Sequence, residues 1–177
     1  MKRDEGVERK QHILIHLSSL PKKILSLHGR ADLAEFVLRD LCHQQCFNLK
    51  KAAFFVDNPD FNCLKGVAGY CHEDNSKACD AFWDNPEKFM ACVQESPFNQ
   101  KVRDVWLPSL KKVSESEQQA IHSVSQMLDM QKPDFCHLQV KHGNHGILIF
   151  EKENAQDAMP SEHLHHGLSL LGFCPVY

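Results

Sequence analysis

No purely apolar run in the sequence exceeds five residues (AAFFV, 52–56), far short of the roughly 20 that a membrane-spanning helix needs. The first residues, MKRDEGVERKQH, mix both charge signs with no apolar stretch behind them, so no secretory leader is predicted and the chain reads as cytoplasmic. One-sided charge is also missing. Against 20 Lys and Arg stand 23 Asp and Glu, for a net charge of −3, and the basic residues are scattered; this predicts no nucleic-acid partner. Gly-x-Ser-x-Gly, Walker A and His-Glu-x-x-His patterns are absent, so no catalytic residue is nominated. There is no internal repeat and no low-complexity tract.

What the chain does have is 8 Cys and 12 His in 177 residues, a length suited to one domain with a sizeable core. In a reducing compartment such thiols are buried, metal-binding or catalytic rather than paired. Cys42-His43-x-x-Cys46 sets two thiols four apart on one helical face. With Cys71-His72 or Cys79 it would complete a tetrahedral set, but only the first pair has the tight spacing of a zinc site. Buried structural thiols are the better reading, and no metal ligand is nominated. His163, His165 and His166 fall on a helix whose apolar face is taken by Leu164 and Leu168; a solvated polar face is expected there.

Residues 8–28 place Ile13, Leu14, Leu17, Leu20, Ile24, Leu25 and Leu27 mostly on one side at helical spacing, and Pro21 predicts a kink or a break. Asp32, with Glu35 three positions on, predicts a capping box for a helix DLAEFVLRDLCHQQ. The period then changes. KKAAFFVD and NCLKGVAGYC read as a hairpin about Asn58-Pro59-Asp60, with Gly66 and Gly69 marking a bulge or a close backbone approach. Residues 72–112 are irregular, with short helices expected near 78–83 and 86–94. Ser114-x-x-Glu117 opens a helix carrying Ala120, Ile121, Val124, Met127 and Leu128, closed by Pro133. In CHLQVKHGNHGILIFEKE, Cys136, Leu138 and Val140 alternate with polar neighbours, Gly143-Asn144-His145-Gly146 turns, and ILIFEKE returns. That alternation puts Cys136 and His137 on opposite faces, so the cluster is a hairpin rather than a metal site. Ser161 begins a last helix with Leu164, Leu168 and Leu171, stopped by Gly172.

The stretch DLAEFVLRDLCHQQCFNLKKAAFFVD resembles the amphipathic helix and first core strand of a GAF-type domain, a relative of the PAS fold, and CHLQVKHGNHGILIFEKE resembles its late hairpin. The likeness runs over about residues 10–172 and rests on apolar spacing. The chain carries no Asn-Lys-x-Asp pattern of the cyclic-nucleotide-binding members. The resemblance implies an α+β fold with a central antiparallel sheet and flanking helices: residues 1–28 form an N-terminal helical segment, a candidate dimerisation helix, and 29–177 the domain proper. It further implies a non-catalytic sensor with a small-molecule pocket between the sheet and the 70–110 segment, signalling through its terminal helices to a second copy or a downstream signalling protein.

Aromatic side chains concentrate in that segment, and pocket walls are mostly apolar with a few placed polar groups. The ligand-binding candidates are Phe55, Tyr70, Phe82, Trp83, Phe89 and Trp106 as walls, with His72 and Arg103 as polar groups. The pattern selects no cofactor. The competing expectation is a thiol- or metal-dependent enzyme built on the Cys and His groups.

Overall fold

The structure, a computed structural model, describes residues 2–74, 83–111, 116–154, 159 and 161–176. Its elements are α1 (Lys2–Ser26), α2 (Leu33–Cys42), β1 (Leu49–Asn58), β2 (Cys63–Cys71), α3 (Pro86–Glu95), α4 (Pro97–Arg103), β3 (Trp106–Leu107), α5 (Glu117–Met127), β4 (Asp134–Gln139), β5 (His145–Lys152) and α6 (Ser161–Leu171). The strands form one antiparallel sheet in the order β3-β2-β1-β5-β4. The fold is therefore α+β with both hairpins in a single sheet. No helix among the described residues is long and apolar enough to cross a membrane.

The central strand β1 is apolar on both sides because both sides are covered. Ala52, Phe54 and Val56 enter a core shared with α1, α2 and α6, while Ala53 and Phe55 enter a second one shared with α4 and α5. The first hairpin turns as its residues predict. The Asn58 side-chain oxygen accepts the N–H groups of Asp60 (3.1 Å) and Phe61 (3.2 Å), and Asn62 takes a φ of 48°. The expected bulge falls between the two glycines: Phe54 faces Ala68 but Phe55 faces Gly66, leaving Val67 unpaired.

The expected close approach is that of α4. A Cβ at Gly66 would lie 1.7 Å from the Val102 carbonyl oxygen, and one at Gly69 2.8 Å from a Val102 methyl. This contact also satisfies the outer rim of β2. The Gly66 N–H donates to the Val105 carbonyl (3.0 Å) and the Gly69 N–H to Asn99 Oδ1 (2.8 Å).

Several local expectations are corrected. The chain runs through Pro21 as one helix, because Ile13, Leu17, Leu20 and Ile24 anchor it to the core on both sides of the proline, whose own face is exposed. Leu14 and Leu25, assigned to that apolar face, are instead 47% and 72% exposed. Asp32 makes no side-chain cap, since Arg30 holds its carboxylate (Nε to Oδ1 2.9 Å, Nη2 to Oδ2 3.1 Å) and Glu35 turns to Arg103. Such charge-assisted bonds outcompete a neutral N–H. Helix α5 is capped by Ser116 reciprocally with Gln119 and ends at Met127, before Pro133; the expected cap Ser114 lies outside the described residues.

Helix α4 and strand β3 were not expected. Ser96-Pro97, read as a turn signal, is a cap followed by a first-turn proline, with Ser96 Oγ accepting the Asn99 N–H at 3.3 Å. Helix α3 matches the segment expected at 86–94, while 78–82 lies outside the described residues. The second hairpin turns one position early, with positive φ at His142 (64°) and Gly143 (72°). Cys136 and His137 do part company: Cys136 packs on the α1 side, and His137 sits against Phe135 (5.7 Å) and Glu117 of α5 (3.6 Å). Helix α6 stops before Gly172, as expected.

Gly66→Ala puts a methyl against backbone rather than a mobile side chain, so α4 must lift off the rim of β2. We expect a loss of about 2–4 kcal/mol, read by urea unfolding; a loss below about 0.5 kcal/mol would show that α4 is free to move.

Candidate functional site

Helix α2 is buried along nine of its ten residues, including two carboxylates, Glu35 and Asp40. A helix apolar all round is a core helix, and charges on it need partners. Each finds one on a different element. Asp40 faces α1, where His16 Nε2 lies 3.0 Å from Oδ1 and Lys23 Nζ 3.2 Å from Oδ2. Glu35 faces the end of α4 and meets Arg103 through Oε1, while its buried Oε2 has no partner among the described residues.

The two carboxyls titrate in opposite directions. Burial would raise Asp40, but the hydrogen bond and charge of His16, together with Lys23, outweigh it and hold the group below its ordinary value. At Glu35 burial wins, and the half-exposed Arg103 offsets only part of it, so the group is raised.

Between these pairs, Phe36 points to a small aromatic junction. Trp83 lies 5.2 Å and Phe89 4.0 Å from it, ring centre to ring centre. Cations rim the cluster: Lys23 lies over Trp83 (5.5 Å), Arg30 over Phe36 (6.0 Å) and Arg39 over Phe89 (5.8 Å). Arg30 also reaches Glu87 at 3.0 Å, which ties α3 to the start of α2. Lys23 thus links Asp40 to Trp83, so the junction touches α1, α2 and α3 together.

The nominated residues do not all converge. Trp83 and Phe89 meet at Phe36; Phe82 lies outside the described residues. Phe55 and Tyr70 are buried on opposite faces of the sheet. Continued straight from the Asn58–Cys63 pair, the ladder would set Tyr70 on the face of Phe55; the bulge at Val67 pairs it with Ala52 instead. The Tyr70 hydroxyl lies 3.4 Å from His72 Nδ1 at the exposed end of β2. Arg103 is taken by Glu35, and Trp106 stands 67% exposed on the edge strand with Lys65 over its ring at 5.7 Å. The residues that build the junction without having been nominated are Phe36, Lys23, Asp40 and Arg30. The signal that could have found Asp40 is the pair of acidic residues at inward positions of an apolar helix.

The buried cysteines behave as packing groups; Cys79 lies outside the described residues. Cys42 and Cys46 are buried beside α1, and Cys71 points into the opposite core, so they cannot share an ion. Among the described residues no group of three or more His, Cys, Asp or Glu could hold a metal. Burial pushes the Cys42 thiol well up, and takes Cys46, Cys136 and Cys174 to about 12, so all four are protonated at neutral pH. His165 and His166 are exposed, as expected. No protein-family model matches the chain, and no curated protein or solved structure is significantly similar to it.

The opposite shifts give a paired prediction. Asp40 is held low, so its contribution is present above the ordinary carboxyl range and is lost as pH falls below about 4. Asp40→Asn should lower the melting temperature at pH 7 by several degrees, with the difference narrowing as pH falls below about 4. Glu35 is held high, so its ionised form costs stability at neutral pH. Glu35→Gln should raise the melting temperature at pH 7.5 and leave it unchanged near pH 4. Melting both variants across that pH range checks the signs; a destabilised Glu35→Gln at pH 7.5 would mean that the Arg103 bond outweighs burial.

Proposed function

We propose that the chain is a non-catalytic regulatory domain of the GAF type, which binds a small molecule between the sheet and the 70–110 segment and passes the event on through its terminal helices. The observation that carries this reading is the position of Trp83. It packs on Phe36 and Phe89 and also on the rim of the core that α1, α2 and α6 share. A ligand that displaces or clamps Trp83 would act on Lys23 and Asp40, and hence on the seating of α1. A conformational change needs such differential contacts in its two states. The order β2-β1-β5-β4 of the two hairpins, with the first and last helices on one face, supports the family resemblance.

The partners in this reading are the ligand, a second copy of the chain and a downstream signalling protein; neither nucleic acid nor a membrane is among them. Against the thiol- or metal-dependent enzyme stand the thiols of Cys42, Cys46, Cys136 and Cys174, which burial deprives of the thiolate character that nucleophiles and ligands require.

Thermal denaturation against a library of metabolites and haem tests the proposal. A binder present at a hundred times its dissociation constant adds about 2.7 kcal/mol, a rise of roughly 5–10 °C for a domain of this size. Trp83→Ala should abolish the rise while leaving the unliganded protein folded. No shift from any member of the library would overturn the sensing role.

A further inference from the structure

Helix α1 buries one side and leaves a second apolar stripe in solvent. Val7, Leu14 and Leu25 are 64%, 47% and 72% exposed. They stand 7 and 11 residues apart, close to two and three helical turns, and so lie in one line. Gln11, Ser18 and Pro21 fill the same line at alternating spacings of three and four, all exposed. Ile15, 61% exposed, flanks it midway, with Glu8 one heptad before and Lys22 one heptad after. On the other flank, Leu17 and Ile24 belong to the chain's own core. The free flank therefore reads Glu8, Ile15, Lys22, which is complementary to itself when reversed.

We propose that α1 pairs antiparallel with α1 of a second copy about a two-fold axis near Ile15. In this arrangement Val7 packs against Leu25 of the second copy and Leu14 against Ser18. Ile15 meets Ile15, and Glu8 meets Lys22 twice, once on each side of the axis. A parallel pair would turn this flank towards the partner's Leu17 and Ile24, which that chain's own core already occupies, so only the antiparallel direction brings the two free flanks together, and there their charges are complementary. The seam is under three heptads long, so the dimer is in exchange with the monomer. This inference deepens the proposed signalling through the terminal helices, and it rests on the exposed side of α1 alone. The opposite side carries His16 and Lys23 to Asp40, which places the seam one helix diameter from the Trp83 junction.

Sedimentation equilibrium of the full chain tests it, with helicity checked by circular dichroism. Glu8→Lys and Lys22→Glu should each raise the dimer dissociation constant about tenfold, since each turns two attractions into two repulsions. The double exchange Glu8→Lys with Lys22→Glu should return it to within about threefold of the wild type. Leu14→Glu should leave only monomer. A wild type that stays monomeric at several hundred micromolar overturns the proposal, as does a dimer whose single charge variants are not rescued by the double exchange. A monomer that still shows a ligand-induced thermal shift would sink the pairing and spare the sensing role. An intact dimer with no shift from the library would do the reverse.

Discussion

Strand β1 must bury both of its faces, and that requirement arranges most of the molecule. A strand with Ala52, Phe54 and Val56 on one side and Ala53 and Phe55 on the other cannot sit at a solvent boundary. It therefore takes the middle of the sheet, flanked by β2 and β5, and draws helices onto both surfaces. The two sides are not equivalent. On one, three helices build the larger core, mostly from leucine and phenylalanine. On the other, the short α4 lies so close to β2 that only glycine fits beneath it.

The electrostatics of α2 follow from this placement. Because α2 is pressed between the sheet and its neighbouring helices, Glu35 and Asp40 could not stay in water. Removing a carboxylate from water is tolerable only with well-placed partners. Asp40 has two, from positions two turns apart on α1, whereas Glu35 has one half-exposed arginine and a buried oxygen left over. One helix thus carries a well-satisfied ion cluster towards α1 and a poorly satisfied one towards α4, with Phe36 between them.

Much of the architecture was legible in the amino-acid order. A short apolar run ending at Asn58-Pro59-Asp60, and period-two alternation ahead of the turn about Gly143, specified two hairpins; Gly66 and Gly69 marked a bulge or a close approach, without saying what would approach. Helix α4 escaped because seven residues are too few to show a period, and a leading Ser-Pro suits a turn as well as a helix start. The site was less legible for a different reason. Aromatic residues can be nominated by type, but the side of the sheet they reach depends on register. A single unpaired residue, Val67, sends Tyr70 away from Phe55, and no local pattern announces which position will bulge. Trp83 and Phe89 could be nominated from the aromatic concentration, but their partner Phe36 could not, since it reads as one more apolar position on an amphipathic helix.

The bonds from Gly66 and Gly69 to Val105 and Asn99 have a consequence for assembly. With those donors occupied, and Leu64 and Lys65 paired with the two-residue β3, the β2 margin has little to offer an incoming extended peptide. The opposite border, β4, is paired only with β5. Any strand-by-strand growth, whether recruitment of a peptide or an unwanted stacking of chains, would begin at Asp134–Gln139 and run in one direction.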